Sequence, residues 1–274
     1  MGEILNTYLQ RQKVRKERDY KKLVSKLERI ILAISAVFAG VAALYGLYAL
    51  LFFGPFLSVQ EILVEGGGKY VSAAEVKKYA GVVSGDNLYW LDVDEVHQRI
   101  RQNPWIKTVA VHRRPPNTLW IFVEEFEPRA ILAAEELFFV NADGVAFKRV
   151  EGKDEKRYPV ISGVPVNNQL ANHLPTITDQ AQKHLQAMLD LMSWFESSGF
   201  INDEAIAEVN YDDFRGYSLI SSKNATHIFL GEKNLKKQTN ILDKYQRAIY
   251  KRGREISYIS TYQGGRVVVK YKNI

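Results

Sequence analysis

The sequence predicts an α+β protein tied to a membrane by one N-terminal helix, and three observations carry that prediction. Ile30 to Phe53 is a run of 24 residues without a charge. From Phe56 to Glu127 the hydrophobic pattern reads strand, helix, helix, strand, strand. From Pro128 to Ile274 short strands dominate, with two amphipathic helices among them.

The uncharged run sets the location. At about 1.5 Å per residue it makes a helix of roughly 36 Å, enough to cross a hydrocarbon core of about 30 Å with some tilt. Thirteen of its residues are Ile, Leu, Val or Phe. Together they favour insertion by about 4 to 8 kcal/mol. Nine basic residues, from Arg11 to Arg29, precede the run, and the next one after it is Lys69. Basic flanks stay on the cytoplasmic side. The spacing therefore predicts residues 1–29 as a cytoplasmic tail, 30–53 as a single membrane span, and everything from about Gly54 onward on the outer face of that membrane. A cleaved signal peptide would have a shorter apolar region and small residues at its cleavage site. Leu50-Leu51-Phe52-Phe53-Gly54-Pro55 offers no such site.

Of 37 basic and 31 acidic residues, the tail alone holds nine and four. The remainder is almost neutral, so the pI near 9.2 belongs mostly to the tail. Nucleic-acid binders carry a basic face on the folded domain itself, and no nucleic-acid role is expected here. The tail reads as a topology determinant with attraction for anionic headgroups. The absence of Cys excludes a disulfide framework and a thiolate metal site. About 220 outer residues must then be held by their cores alone, as one large or two small domains.

Phe56 to Glu65 reads as a strand ending at Gly66-Gly67-Gly68. Ser72, with Glu75 three residues on, forms an N-cap signature for a helix whose Val76, Tyr79, Ala80 and Val83 repeat at helical spacing. Asp92 or Asp94 starts a second helix, with Val93, Val96 and Ile100 on one face, ending before Pro104. Strands Ile106 to Arg113 and Thr118 to Phe126 follow, joined by a proline-containing turn. Two helices on one face of a three-stranded sheet make a small α+β domain. Beyond Pro128, strands are expected at 130–134, 137–140 and 145–148, with a turn at Asn141-Ala142-Asp143-Gly144. A loop with Pro159 and Pro165 leads to a helix from Asp179 to about Phe195, whose Ala181, Leu185, Met188, Leu189, Met192 and Phe195 recur at steps of three and four. Strands at 206–211, 217–221 and 226–230 precede a helix from Leu235 to Tyr250 that presents Leu235, Leu242, Tyr245 and Ile249. The chain closes with Ile256 to Tyr262, a Gln263-Gly264-Gly265 turn, and Arg266 to Tyr271.

No catalytic constellation emerges, and no cofactor, metal or small-molecule substrate is expected. His97, His112, His173, His184 and His227 are scattered and read as structural histidines. Gly66-Gly67-Gly68-Lys69 lacks the spacing of a phosphate loop and the third glycine of a dinucleotide fingerprint. It reads as a glycine-rich strand-to-helix turn. Gly216-Tyr217-Ser218 begins like a nucleophile elbow, but Ile220 stands where the closing glycine belongs. Glu124, Glu125 and Glu127 read as the solvated end of a strand.

Several segments together resemble a known family. They are Gln102-Asn103-Pro104-Trp105-Ile106-Lys107, then Val109 to Arg114, Pro116-Asn117-Thr118-Leu119, Val123 to Pro128 and Asn141 to Phe147. A proline-tryptophan helix end, a basic strand, a proline-containing turn and an Asp-Gly hairpin in that order resemble the FtsQ/DivIB bacterial cell-division family. The resemblance implies a POTRA (polypeptide-transport-associated) domain over 56–127 and a β domain over 128–274. It implies a non-enzymatic scaffold enriched at the division septum. The implied partners are FtsB and FtsL, with FtsK, FtsW and FtsI as further members of the divisome list.

By the same resemblance, the far end of the β domain takes a strand from FtsB or FtsL. The match points to Ile256-Ser257-Tyr258, Tyr262, and Arg266, Val267, Val268, Val269, Lys270 and Tyr271. Where the family often has an Asp-apolar-Arg-Tyr run, this chain has Ser260-Thr261-Tyr262-Gln263. An ungapped match leaves Gln263 at the family tyrosine and a one-residue slip restores Tyr262, so both stay open. Independently of the family, Val267-Val268-Val269 is a β-branched run, and an edge strand leaves amides and carbonyls ready for another chain. The bland alternative makes this hairpin internal to the sheet. Two other functions remain beside the scaffold: a POTRA-type polypeptide chaperone or export module, and a membrane-anchored cell-wall hydrolase.

Overall fold

The computed structural model describes residues 2–154, 157–171, 174–199, 205–251, 255–261 and 266–272. Helix α1 (Gly2–Phe53) takes in both the uncharged run and the basic tail. Within it, Lys22–Leu50 is long and apolar enough to cross a membrane, with a mean hydropathy of 2.3 and 0% of it buried by protein. A helix this long and apolar, with no protein burying it among the described residues, is a candidate to cross a membrane. Beyond α1 comes a 3-10 turn, Pro55–Leu57.

The chain divides into two compact units: Met1–Glu65, Ala80–Gln98 and Ala110–Phe122 in the first, Gly66–Tyr79, Arg99–Val109 and Val123–Ile274 in the second. Strand β1 (Glu61–Gly66) starts later than the expected Phe56. The residues before it bond to a loop and not to a strand: Leu57 O accepts from Leu88 N, Val59 N donates to Asp86 O, and Ser58 makes an isolated antiparallel bridge to Asn87. Helix α2 (Ala73–Ala80) opens on the expected capping box, Ser72 N donating to Glu75 Oε2 and Glu75 N to Ser72 Oγ. Its Val76 and Ala80 are buried, but Tyr79 and Val83 are exposed, because the helix stops before Val83 completes the stripe. Asp92 caps α3 (Val93–Arg101) by accepting from the amides of Asp94 and Glu95 at 3.0 and 3.1 Å. Val96 and Ile100 are buried. Strands β2 (Ile106–Arg114) and β3 (Thr118–Glu125) complete a sheet of order β1-β3-β2. Burial alternates along β3 at Leu119, Ile121 and Val123.

Glu125 departs from expectation. Its carboxylate is not a solvated strand end but the acceptor for four amides of the glycine-rich turn, those of Gly68, Lys69, Tyr70 and Val71, at 2.7 to 3.2 Å. Gly66, Gly67 and Gly68 all take positive φ, which aims successive N–H groups into one concavity. The concavity of amides is filled by the protein's own anion. Glu125→Ala should loosen this turn at a cost of about 2 to 3 kcal/mol, since a bond to a charged group is worth about 1.5 to 3 kcal/mol and four amides share one carboxylate. Hydrogen exchange at residues 68–71 reads the effect, and unchanged exchange would refute it.

The second unit is built on a nine-stranded sheet. Its strands are β4 (Ala130–Ala133), β5 (Leu137–Val140), β6 (Ala146–Arg149), β7 (Val160–Ser162), β10 (Ile206–Asp212), β11 (Gly216–Ser221), β12 (His227–Gly231), β13 (Ile256–Ser260) and β14 (Val268–Tyr271). Their order is β14-β13-β12-β11-β10-β7-β4-β5-β6. The expected loop before the long helix instead contributes β7 and a separate hairpin, β8 (Asn167–Ala171) with β9 (Leu174–Thr176). Strands this short carry too few alternations to be read from sequence. Helices α4 (Asp179–Ser198) and α5 (Leu235–Tyr250) are crossovers, which explains the parallel pairs β7 with β10 and β12 with β13.

The main core fills one face of this sheet. Ala181, Leu185, Met188, Leu189, Met192 and Phe195 of α4, as expected, and Leu242 and Ile249 of α5 pack with Val209, Leu219, Ile228 and Ile259 from the strands. Tyr245, expected inward, is exposed, and Thr239 takes a buried place on α5 instead. Near β5 and β6 a second cluster of Ile131, Phe139 and Phe147 is joined by Trp105, Phe126 and Tyr158. Trp105 stacks on Tyr70 with ring centroids 4.3 Å apart. His184 reaches the Tyr217 hydroxyl from Nδ1 at 2.7 Å, and burial pushes the Tyr217 hydroxyl up to about 12. His97, His112 and His227 are partly or fully exposed, and His173 lies outside the described residues.

Candidate partner-binding edge

Among the described residues strand β14 pairs with β13 alone and so forms one border of the nine-stranded sheet. The hairpin is antiparallel, with Ser260 opposite Val268, Ile259 opposite Val269 and Tyr258 opposite Lys270, and a register shift before Ile256 meets Tyr271. Tyr262 and Gln263, the two candidates for the family tyrosine, lie outside the described residues.

Register fixes which peptide groups look outward. Thr261 N donates to Phe229 O of β12, so the peptide groups of Ile259 and Thr261 turn to β12 and those of Tyr258 and Ser260 turn to β14. Their partners Val268 and Lys270 therefore direct N–H and C=O back into the hairpin. Lys272 N, donating to Glu255 O at 2.9 Å, keeps the same parity. The alternate residues, Val267, Val269 and Tyr271, turn their peptide groups to the open border.

Side chains divide the other way. Val267, Val269 and Tyr271 are half-buried against the main core, while Arg266, Val268 and Lys270 are exposed. The Lys270 ammonium lies 5.9 Å from the ring of Tyr258, which meets Phe229 edge to face. Tyr271 donates its hydroxyl to Ile249 O at 2.9 Å. That carbonyl is in the last turn of α5, where helix acceptors lack intrahelical partners. The bond pins the border strand to α5, a role the sequence did not signal because Ile249 is 22 residues away.

Charge at this border is mostly positive. Lys272 pairs with Glu255 at 3.1 Å on the surface, leaving Arg266 and Lys270 to set its sign. Lysine on a sheet border also discourages pairing between identical chains.

Residues 57–126 match the family described as POTRA domain, FtsQ-type. Among curated relatives, "Cell division protein FtsQ" of Syntrophotalea carbinolica is 28% identical over 221 residues, 81% of this chain and 76% of that protein. The protein of the same name from Geotalea daltonii is 24% identical over 252 residues, 92% of this chain and 90% of its own length. The chain is similar over most of its length to proteins named cell-division protein FtsQ, and its residues 57–126 match an FtsQ-type POTRA domain. A third relative of that name, from a Geobacter species, is 28% identical over 202 residues, 74% of this chain. At 92% of this chain, the similarity to the Geotalea daltonii protein extends beyond the POTRA segment into the strand-rich part.

Proposed function

We propose that this protein is a single-pass scaffold of bacterial cell division that works by holding partners and not by chemistry. Its relatives' name, a cell-division protein, and the N-terminal apolar helix support an inner-membrane division role. In this reading residues 1–29 are cytoplasmic, α1 spans the membrane, and a POTRA domain (56–127) and a β domain (128–274) lie outside, concentrated at the septum. FtsB or FtsL adds a strand to β14, and FtsK, FtsW and FtsI complete the company.

The observation that carries this reading is the outward turn of the Val267, Val269 and Tyr271 peptide groups at the sheet border. An added strand would bond to these three in sequence, with backbone bonds giving affinity and flanking side chains giving selectivity. Arg266 and Lys270 favour an acidic partner segment. Tyr258 and Lys270, on the outer face, contact the partner's alternate side chains, and Tyr271 does so on the core face.

The test is hydrogen exchange on the full-length protein co-purified with FtsB and FtsL. The amides of Val267, Val269 and Tyr271 should slow on complex formation, while β6, at the opposite border, is unchanged. A complex that forms with those three amides exchanging at their free rates overturns the reading.

A further inference from the structure

Three segments meet at the end of the small sheet nearest the exit of α1. Leu88 N donates to Leu57 O at 2.8 Å and Val59 N to Asp86 O at 2.7 Å, with the Ser58–Asn87 bridge between them. These bonds hold the 84–91 loop against the first residues after the helix. Gln60 N donates to Asn117 O at 2.9 Å and Asn117 Nδ2 to Gln60 Oε1 at 2.7 Å, which brings the β2–β3 turn to the same end. All these residues belong to the first unit.

The side chains on these segments are largely apolar, aromatic and basic. Phe56, Val83, Tyr89 and Trp90 are 62%, 66%, 58% and 60% exposed, and the Tyr89 and Trp90 rings meet edge to face at 6.1 Å. Arg113 donates from Nη2 to Leu91 O at 2.6 Å, placing a guanidinium beside this pair. The Arg114 guanidinium lies over the Trp120 ring at 4.6 Å. Two neighbouring carboxylates are held by backbone amides, Asp86 by Val83 N and Asp92 by the start of α3. Large exposed aromatics in a cluster are informative where scattered ones are not. Trp and Tyr beside Arg is the composition that settles at the headgroup layer of a bilayer.

Chain length makes the occupant specific. Phe56 is three residues beyond the last residue of α1, a reach of at most about 10 Å. A Cβ at Gly54 would collide with the Leu50 carbonyl oxygen, so glycine is what lets the backbone pass so close to the helix end. If α1 spans, Phe56 and the loop bonded beside it stay at the membrane surface.

We propose that this end of the small domain docks on the outer-leaflet headgroup layer of the membrane that α1 crosses. Tyr89 and Trp90 enter the interface, and Arg113 and Arg114 pair with anionic lipid phosphates. The proposal rests on the reading of α1 as a span. It adds that the first unit is seated on the bilayer and does not swing on a free linker.

The chain has no cysteine, so single-cysteine spin labels report depth without background. Full-length variants Val41→Cys, Tyr89→Cys, Trp90→Cys and Phe214→Cys are reconstituted in vesicles of phosphatidylethanolamine and phosphatidylglycerol. Labels at 89 and 90 should sit at headgroup depth, shielded from an aqueous collider. Phe214, 99% exposed, should be fully accessible, and Val41 should report hydrocarbon. Arg113→Glu with Arg114→Glu, or vesicles of phosphatidylcholine alone, should raise aqueous access at 89 and 90 by about twofold or more. Val41 in hydrocarbon with 89 and 90 as accessible as 214 overturns the docking and leaves the span. An accessible Val41 overturns both. Shielding that disappears when the protein is diluted in the vesicles assigns the patch to a second copy and overturns the lipid reading.

Discussion

Val269→Pro should abolish the proposed capture of an FtsB or FtsL strand while leaving the sheet folded, and Val268→Pro should do the reverse. Proline removes one N–H and fixes φ near −65°. At Val269 that N–H points to the open border, where proline is tolerated. The lost donor is one of three on which an added strand would register, and the ring blocks close approach on either side of it. A loss of affinity of tenfold or more, about 1.4 kcal/mol, is expected. At Val268 the N–H points into the hairpin opposite Ser260. Removing it costs about 1 kcal/mol for the bond and more for the displaced ladder. Thermal unfolding of each full-length variant, alongside co-purification with FtsB, separates the two effects. Equal behaviour of the two variants would show that the border is not where the partner binds.

Asp154→Ala should cost the fold about 3 to 5 kcal/mol, the range for breaking a buried ion pair from one side. Side chains of Lys148 and Asp154 are only 6% and 8% exposed. The Lys148 ammonium donates to Asp154 and to Arg149 O and lies 5.4 Å from the Trp105 ring and 5.8 Å from Phe139. Without Asp154 it is left as an uncompensated charge among aromatics. Replacing both, as Lys148→Met with Asp154→Leu, should cost much less, because the desolvation of both charges is removed together.

The same pair fixes the sign of an acid effect. Burial raises the Asp154 carboxyl, but the Lys148 ammonium and the Glu151 amide outweigh it and hold the group below its ordinary value. Its contribution is therefore complete above the usual carboxylate range and is lost as pH falls through the lowered value. Urea unfolding of the full-length protein in detergent should show a steeper acid loss for the wild type than for the double variant. A cost below about 1 kcal/mol for Asp154→Ala would place the pair with ordinary surface bridges.

Local signals were legible. The uncharged run, the Ser72–Glu75 box, the Asp92 cap and the six apolar positions of α4 each depend on neighbours within a few residues. The helices they predict form, although α1 begins at Gly2 and α2 ends at Ala80, short of Val83. Glu125 was misread because its partners are more than 50 positions back, and nothing on a strand end announces a concavity of amides elsewhere. Strand β7 was missed because its support comes from parallel neighbours, β4 and β10, supplied through long connections.

At the candidate edge, the β-branched run and the closing turn suggested a hairpin, but either border or interior position was compatible with them. By itself the sequence determined a long apolar helix, its basic flank, and a mixed α+β composition and periodicity beyond it, because these follow from transfer free energies and local backbone preference. Tertiary structure alone decided that β14 ends the sheet, that alternate peptide groups there turn outward, and that Lys148 is sealed against Asp154. Those outcomes depend on which distant strands and loops meet, and pairing between distant segments leaves no periodic trace in the chain.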